Sequence, residues 1–105
     1  MTSRVLRRLK AADDAESIAN DIANDSLEAA IRFLENTEAT LAELANSPGI
    51  GSPFESDRPD LYNLRFRRVK GFPNHLIFYI EHTNAIEVVR ILHGARDIDS
   101  ELGRG

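Results

Sequence analysis

The chain has 105 residues, 42% of them hydrophobic and 29% charged, with a formal net charge of −4 and no cysteine. That length fits one domain, 1–105, able to bury about 65% of its unfolded surface. The lack of cysteine excludes disulfides, thiolate catalysis and zinc-ribbon sites, and no apolar run approaches the ~18 residues of a membrane span.

The N-terminal run MTSRVLRRLKAADDAE is basic with no apolar stretch after it, so no signal peptide is expected and a cytoplasmic location is the expectation. Ser3–Leu9 reads as a short first strand with Val5 and Leu9 inward. Ala11–Asn24 follows as a helix, with Ala15, Ile18, Ala19 and Ile22 at helical spacing. Asp13, Asp14 and Glu16 are placed in its first turn, where carboxylates favour the helix dipole. Asp25-Ser26-Leu27-Glu28 reads as a capping box with Asp25 at the cap. From there Leu27, Ala30, Ile31, Leu34, Leu41 and Leu44 keep one apolar face to about Ala45. Two helices with almost no linker must fold back as a hairpin. Residues 46–53, rich in Pro, Gly and Ser, end the second helix.

Phe54–Tyr62 reads as polar and irregular. Leu64–Val69 then alternates apolar residues with arginine, Gly71–Asn74 is a turn, and Leu76–Glu81 is an apolar strand. Thr83-Asn84 turns the chain into a last strand, Ile86–Leu92. The order β-α-α-β-β-β predicts an α+β fold, an antiparallel sheet packed against an N-terminal helical hairpin.

Charge is unevenly spread along this order. Residues 1–63 carry six Lys/Arg against twelve Asp/Glu, whereas residues 64–105 carry seven against five. A locally basic segment follows an acidic scaffold. That suits an acidic or polyanionic partner, but it falls short of a dedicated nucleic-acid binder. A solvated charged face is the plainer reading.

The residues with chemistry lie in that last third. Arg65 and Arg67 share one face of their strand, opposite Leu64 and Phe66, and fit either phosphate or acidic partner groups or a solvated sheet edge. Arg68 and Lys70 are expected to be exposed. His93 is the candidate for acid–base work, since histidine is the residue type suited to proton exchange near neutral pH, with Arg90 and Arg96 near it in sequence. Its plainer role is to close the last strand by bonding the backbone. Strict alternation puts Arg90 and His93 on opposite faces, so a bulge or strand end is needed to bring them together. Tyr79 is expected in the core or on a sheet face. Asp97 is expected to pair with Arg96 or cap the tail. His75, His82 and His93 lack metal-site spacing, and no motif calls for a cofactor, so none is expected.

Taken in order, these segments carry a resemblance. Glu28-Ala29-Ala30-Ile31-Arg32-Phe33-Leu34, the break Leu44-Ala45-x-x-Pro48-Gly49-Ile50-Gly51, Ile77-Phe78-Tyr79 and Val89-Arg90-Ile91-Leu92-His93-Gly94-Ala95-Arg96-Asp97 resemble the RelE/ParE toxin superfamily. The likeness is to its ParE-like, plasmid-stabilisation branch. The resemblance implies the toxin half of a type II toxin–antitoxin pair, silenced by a small ParD-like antitoxin. ParE-like members are understood to poison DNA gyrase, and RelE-like members to cut mRNA on the ribosome.

The nuclease branch implies a set of basic groups that deprotonate the 2′-OH and stabilise the developing phosphorane charge. Arg65, Arg67 and Arg96 match positions of that set. Leu76 stands where an arginine is expected, and the C-terminal aromatic, due near Leu102, is absent. The resemblance therefore implies a gyrase-directed binder. Arg65, Arg67, Arg90, His93 and Arg96 are its candidate target contacts, and an mRNA endoribonuclease or an inactive antitoxin-binding relative are the alternatives. In a nuclease, His93, Arg96, Arg65 and Arg67 would be the catalytic candidates.

Overall fold

The computed structural model describes residues 2–96 and 98–103. A first strand β1, Arg4–Arg7, leads into helices α1, Leu9–Ala23, and α2, Leu27–Asn46. A two-residue strand β2, Ser52–Pro53, precedes β3, Leu64–Val69, β4, Phe72–Glu81, and β5, Ala85–His93. A short helix α3, Ile98–Leu102, follows, and single 3-10 turns occupy Pro48–Ile50 and Pro59–Leu61.

The predicted α+β fold and its helical hairpin are present. The strands form one sheet in the order β1-β5-β4-β3-β2. Its pairs from β5 through β2 are antiparallel, as expected, but β1 lies parallel to β5, so the sheet is mixed. The chain leaves β1 across one face through both helices and returns much later. That long connection is what parallel pairing requires.

Local chemistry sets several boundaries apart from expectation. β1 ends at Arg7 and α1 begins at Leu9, which is exposed on the helix rather than inward on the strand, so Asp13, Asp14 and Glu16 fall beyond the first turn and do not serve its dipole. The α2 cap is Ser26, not Asp25: Ser26 is extended at φ −156° and its hydroxyl accepts from the Ala29 N–H at 3.1 Å. Gly71, at φ +76°, closes a tight turn with Lys70, so β4 already starts at Phe72. The register shifts there, from Val69 opposite Phe72 to Arg68 opposite Leu76. Pro73 is tolerated within β4 because it lies in this irregularity, where no ladder N–H is needed.

Both sheet faces are covered. On one, α1 and α2 bury Phe33, Leu41 and Leu44 against Val69, Ile77, Tyr79, Ile86 and Val88. On the other, Leu61, Leu64, Phe78, Ile80, Val89, Leu92 and Leu102 form a second core, joined by Phe54 and Ile98. The 54–62 segment is thus not only a polar connection. With α3 it supplies the cover for that face.

Two polar side chains of α2 are buried without penalty. The Thr37 hydroxyl donates to the Phe33 carbonyl and the Thr40 hydroxyl to the Asn36 carbonyl, each at 2.7 Å. Thr40 also accepts the Lys70 N–H at 3.0 Å, which ties the β3–β4 turn to the helix.

Candidate functional site

β1 covers β5 only as far as Val88, where the Arg8 N–H closes the pairing at 3.0 Å. Beyond it, the outer edge of β5 runs beside α1 with no strand neighbour among the described residues. A register shift opposite Phe78 and Tyr79 makes Val89 an extra residue in β5. Bulges re-aim side chains in this way. The shift precedes Arg90, however, and the register from Arg90 to His93 is unbroken, so the two residues stay on opposite faces and come to one cleft only at the open edge and end of β5.

Arg90 is held by two elements. Its guanidinium donates to both oxygens of Asp14 on α1, at 2.7 and 3.1 Å, and to Glu101 on α3 at 2.6 Å. Asp14 also accepts the Ile91 N–H at 3.0 Å, so it satisfies a backbone group on the open edge. Both side chains of the Arg90–Asp14 pair are nearly buried, at 13% and 12% exposure. The Asp14 hydrogen bond raises the Arg90 pKa despite the burial that opposes it. The Arg90 hydrogen bond in turn lowers the Glu101 pKa.

His93 closes β5: its Nδ1 accepts the Ala95 N–H at 3.0 Å. This is the backbone role anticipated for it. Its ring meets that of His75 edge to face, with centroids 5.0 Å apart, and His75 packs in the same way on Phe33. The His75 Nδ1 is buried with no hydrogen-bond partner among the described residues. Burial, then the neighbouring His93, push the His75 pKa below its ordinary 6.5. Arg96 is exposed at the bend after β5, and its side chain has no partner among the described residues. The reading of Asp97 as its partner falls outside the described residues.

Arg90, His93 and Arg96 line one cleft of about 440 Å³. Its apolar wall is Ile18 and Ile22 from α1 with Ile91 and Leu92, and Asp21 and Asp25 stand on its rim.

Arg65 and Arg67 are not part of it. They lie on β3, two strands away, with the buried Ile77 and Tyr79 between. The Arg65 guanidinium donates to the Gly51 carbonyl at 2.7 Å, and Arg67 reaches Glu43 of α2 at 3.1 Å. Tyr79 is a core residue: its hydroxyl donates to the Pro48 carbonyl at 2.6 Å and accepts the Gly51 N–H at 2.9 Å. His82 lies at the other end of the sheet, 2.9 Å from Glu87, which also accepts from Arg8. Among the described residues, no three His, Asp or Glu side chains are grouped to hold a metal.

Asp14, Glu101 and His75 were not singled out from sequence as parts of this site. The i, i+4 pair Ile98 and Leu102 was the available sign of α3, and hence of Glu101. Nothing local marks Asp14, whose partner is 76 residues away.

The family model described as ParE toxin of type II toxin-antitoxin system, parDE, matches residues 5–98. The chain belongs to the ParE toxin family. A solved ParE-family relative in fold is the chromosomal ParDE TA system from P. aeruginosa. It superposes with a TM-score of 0.68 at 16% identity, over 88% of this chain and 96% of that one. At that identity the likeness is one of fold. No curated protein sequence matches the chain. The ParE match takes in α1, α2, β2 to β5 and β1 from Val5 onward, and it includes every residue lining the Arg90–Arg96 cleft except Glu101. No helix among the described residues of this ParE-family chain is long and apolar enough to cross a membrane.

The His75 environment makes a prediction about pH. A histidine whose folded pKa is depressed binds its proton more readily when unfolded, so stability falls as pH drops below about 6.5. Glu38, Glu87 and Glu101 are also lowered from 4.5, each chiefly by a hydrogen bond, from Arg7, His82 and Arg90 respectively. They add a second loss below that value. Urea unfolding at pH 7.0, 6.0 and 5.0 should show the first loss in the parent and little of it in His75→Phe. Equal pH slopes in the two proteins would show that His75 is not the group responsible.

Proposed function

We propose that this ParE-family chain inhibits DNA gyrase by binding, with no bond-breaking chemistry of its own, and that a cognate ParD-like antitoxin silences it. The observation that carries the binding reading is the separation of the groups that RNA cleavage would need together. Arg65 and Arg67 sit on β3 against a carbonyl and a carboxylate, while His93 and Arg96 sit on the other side of β4, at and beyond the end of β5. Leu76, not an arginine, stands opposite Leu92 between them. Without convergent groups there is no general base beside a charge-stabilising cluster.

An antitoxin partner is supported by the family description and by the ParDE nature of the P. aeruginosa structure. The cleft between α1 and the open edge of β5 suits a partner segment, since such edges accept an added strand and apolar grooves accept amphipathic segments. A gyrase target implies action in the cytoplasm.

The test titrates purified protein into a gyrase supercoiling and cleavage assay and, in parallel, into a programmed ribosome assay. Inhibited supercoiling with intact message is expected. Cleaved message with unaffected gyrase would sink the reading, and silence in both would point to an inactive antitoxin-binding relative. Within that assay, Arg96→Ala should weaken gyrase inhibition about tenfold, the ~1.4 kcal/mol of one lost charged contact. Its thermal midpoint should stay unchanged, because the side chain is exposed and has no partner among the described residues. Undiminished inhibition by that variant would remove Arg96 from the contact surface.

A further inference from the structure

A second surface stands apart from the cleft at β5. Four of the seven described arginines outside β3 are held by carboxylates at close range: Arg7 by Glu38, Arg8 by Glu87, Arg58 by Asp60 and Arg90 by Asp14, all between 2.6 and 2.9 Å. The end of β3 differs. Arg67, Arg68 and Lys70 fall within four residues, and both Arg68 and Lys70 are exposed with side chains that have no partner among the described residues. Arg67 has one contact, with Glu43, and is itself 43% exposed.

Two shallow clefts, of about 370 and 330 Å³, share Arg67, Arg68 and Lys70 in their walls. The three cations thus form a ridge between two hollows. Glu43 is the one carboxylate among the described residues lining either hollow. A local excess of positive charge therefore sits on a chain whose net charge is −4. Arg67 and Arg68 point to opposite faces of the sheet by strand alternation, so the ridge presents charge on both sides of the edge. Its base is fixed by the Lys70 N–H on Thr40 and by the left-handed Gly71.

We propose that this ridge is a contact for the phosphate backbone of nucleic acid. The alternative, an acidic peptide, needs either a backbone ladder or apolar pockets to gain affinity. The ladder is short of space: β2 already covers β3 at Arg65 and Phe66, and the Lys70 N–H is occupied by Thr40. The hollows have no deep apolar anchor, since Phe66 and Val69 turn largely into the two cores. Flexible cations without an anchor suit phosphates, which are contacted electrostatically and without sequence choice. The binding is weak, salt-dependent and independent of the β5 cleft.

The test measures fluorescence anisotropy of a labelled 20-base-pair duplex DNA with the full chain, from 20 to 200 mM salt. Three phosphate contacts predict that log K falls by roughly two to three for each tenfold rise in salt. The charge-reversal variant Arg68→Glu/Lys70→Glu should bind at least tenfold more weakly at low salt, with a shallower slope. The control Arg4→Glu/Arg32→Glu changes the same total charge at exposed residues elsewhere and should stay within twofold of the parent. Circular dichroism of both variants should match the parent, since neither removes a side-chain contact among the described residues. Equal losses in both variants, no binding by the parent at 20 mM salt, or displacement of DNA by a polyglutamate peptide at lower charge concentration would each overturn the proposal.

Discussion

Gly51→Ala is expected to destabilise the protein by about 3–5 kcal/mol, combining overpacking with a lost buried hydrogen bond. The backbone does not forbid alanine, for Gly51 sits at φ −70° and ψ 153°. The conflict is a collision. A Cβ placed there falls on the Tyr79 hydroxyl and lies 2.7 to 2.8 Å from its ring carbons. Tyr79 cannot swing aside, because it is fully buried and its hydroxyl is held by both Pro48 and Gly51. Typical domains have only about 5–15 kcal/mol in total, so this loss should be visible as a large fall in the urea midpoint. Tyr79→Phe alone leaves a buried carbonyl and N–H unpaired, at a cost of about 1–3 kcal/mol. The double variant should lose less than the two single losses together, since removing the hydroxyl also relieves part of the collision. Strict additivity would show that the two residues do not meet. The same contacts give Arg65 a structural role: by donating to the Gly51 carbonyl it ties the 48–51 loop to the sheet.

The parts of the fold legible in sequence were those set by local periodicity. The helical hairpin followed from the spacing of Ala15, Ile18 and Ile22 and of Ala30, Leu41 and Leu44, but Leu27, Ile31 and Leu34, expected on the same apolar face, are exposed, because the buried face turns through Phe33 and Thr37 instead. The three long strands followed from apolar runs between turn residues. Long-range pairing was not legible, and so β1 was not seen to run parallel to β5. The cap of α2 was a choice between adjacent Asp25 and Ser26, both good capping residues, and only the backbone decides between them. The second cover of the sheet was missed because Phe54, Leu61, Ile98 and Leu102 are too sparse to form a period. A hint existed nonetheless. Val88-Val89 and Ile91-Leu92 are apolar doublets, and a strand apolar at both parities must be covered on both faces. In the candidate site, the charges were legible but their partners were not. Arg65, Arg67 and Arg90 were read as free to bind, whereas each has a partner distant in sequence.

Asp14→Ala is expected to cost about 3 kcal/mol, because it breaks a largely buried ion pair and also strands the Ile91 N–H. Glu101 would remain on Arg90, but that carboxylate is 47% exposed and such contacts contribute about 1 kcal/mol or less. A loss below 1 kcal/mol in urea unfolding would show that Asp14 does not join α1 to β5. The consequence bears on function. Arg90→Ala should lower gyrase inhibition simply by loosening α1 and α3 from β5, so a loss of activity there does not establish a target contact. Buried pairs can often be replaced by apolar residues of similar volume with little cost, which offers a way to separate the two roles. In Asp14→Leu/Arg90→Met the ion pair is gone and the packing is kept, leaving only the unpaired Ile91 N–H, at about 1–3 kcal/mol, as a cost. Retained inhibition in a stable double variant would make Arg90 a residue that holds the cleft in shape. Lost inhibition with the fold retained would place its guanidinium on the target itself, next to Arg96.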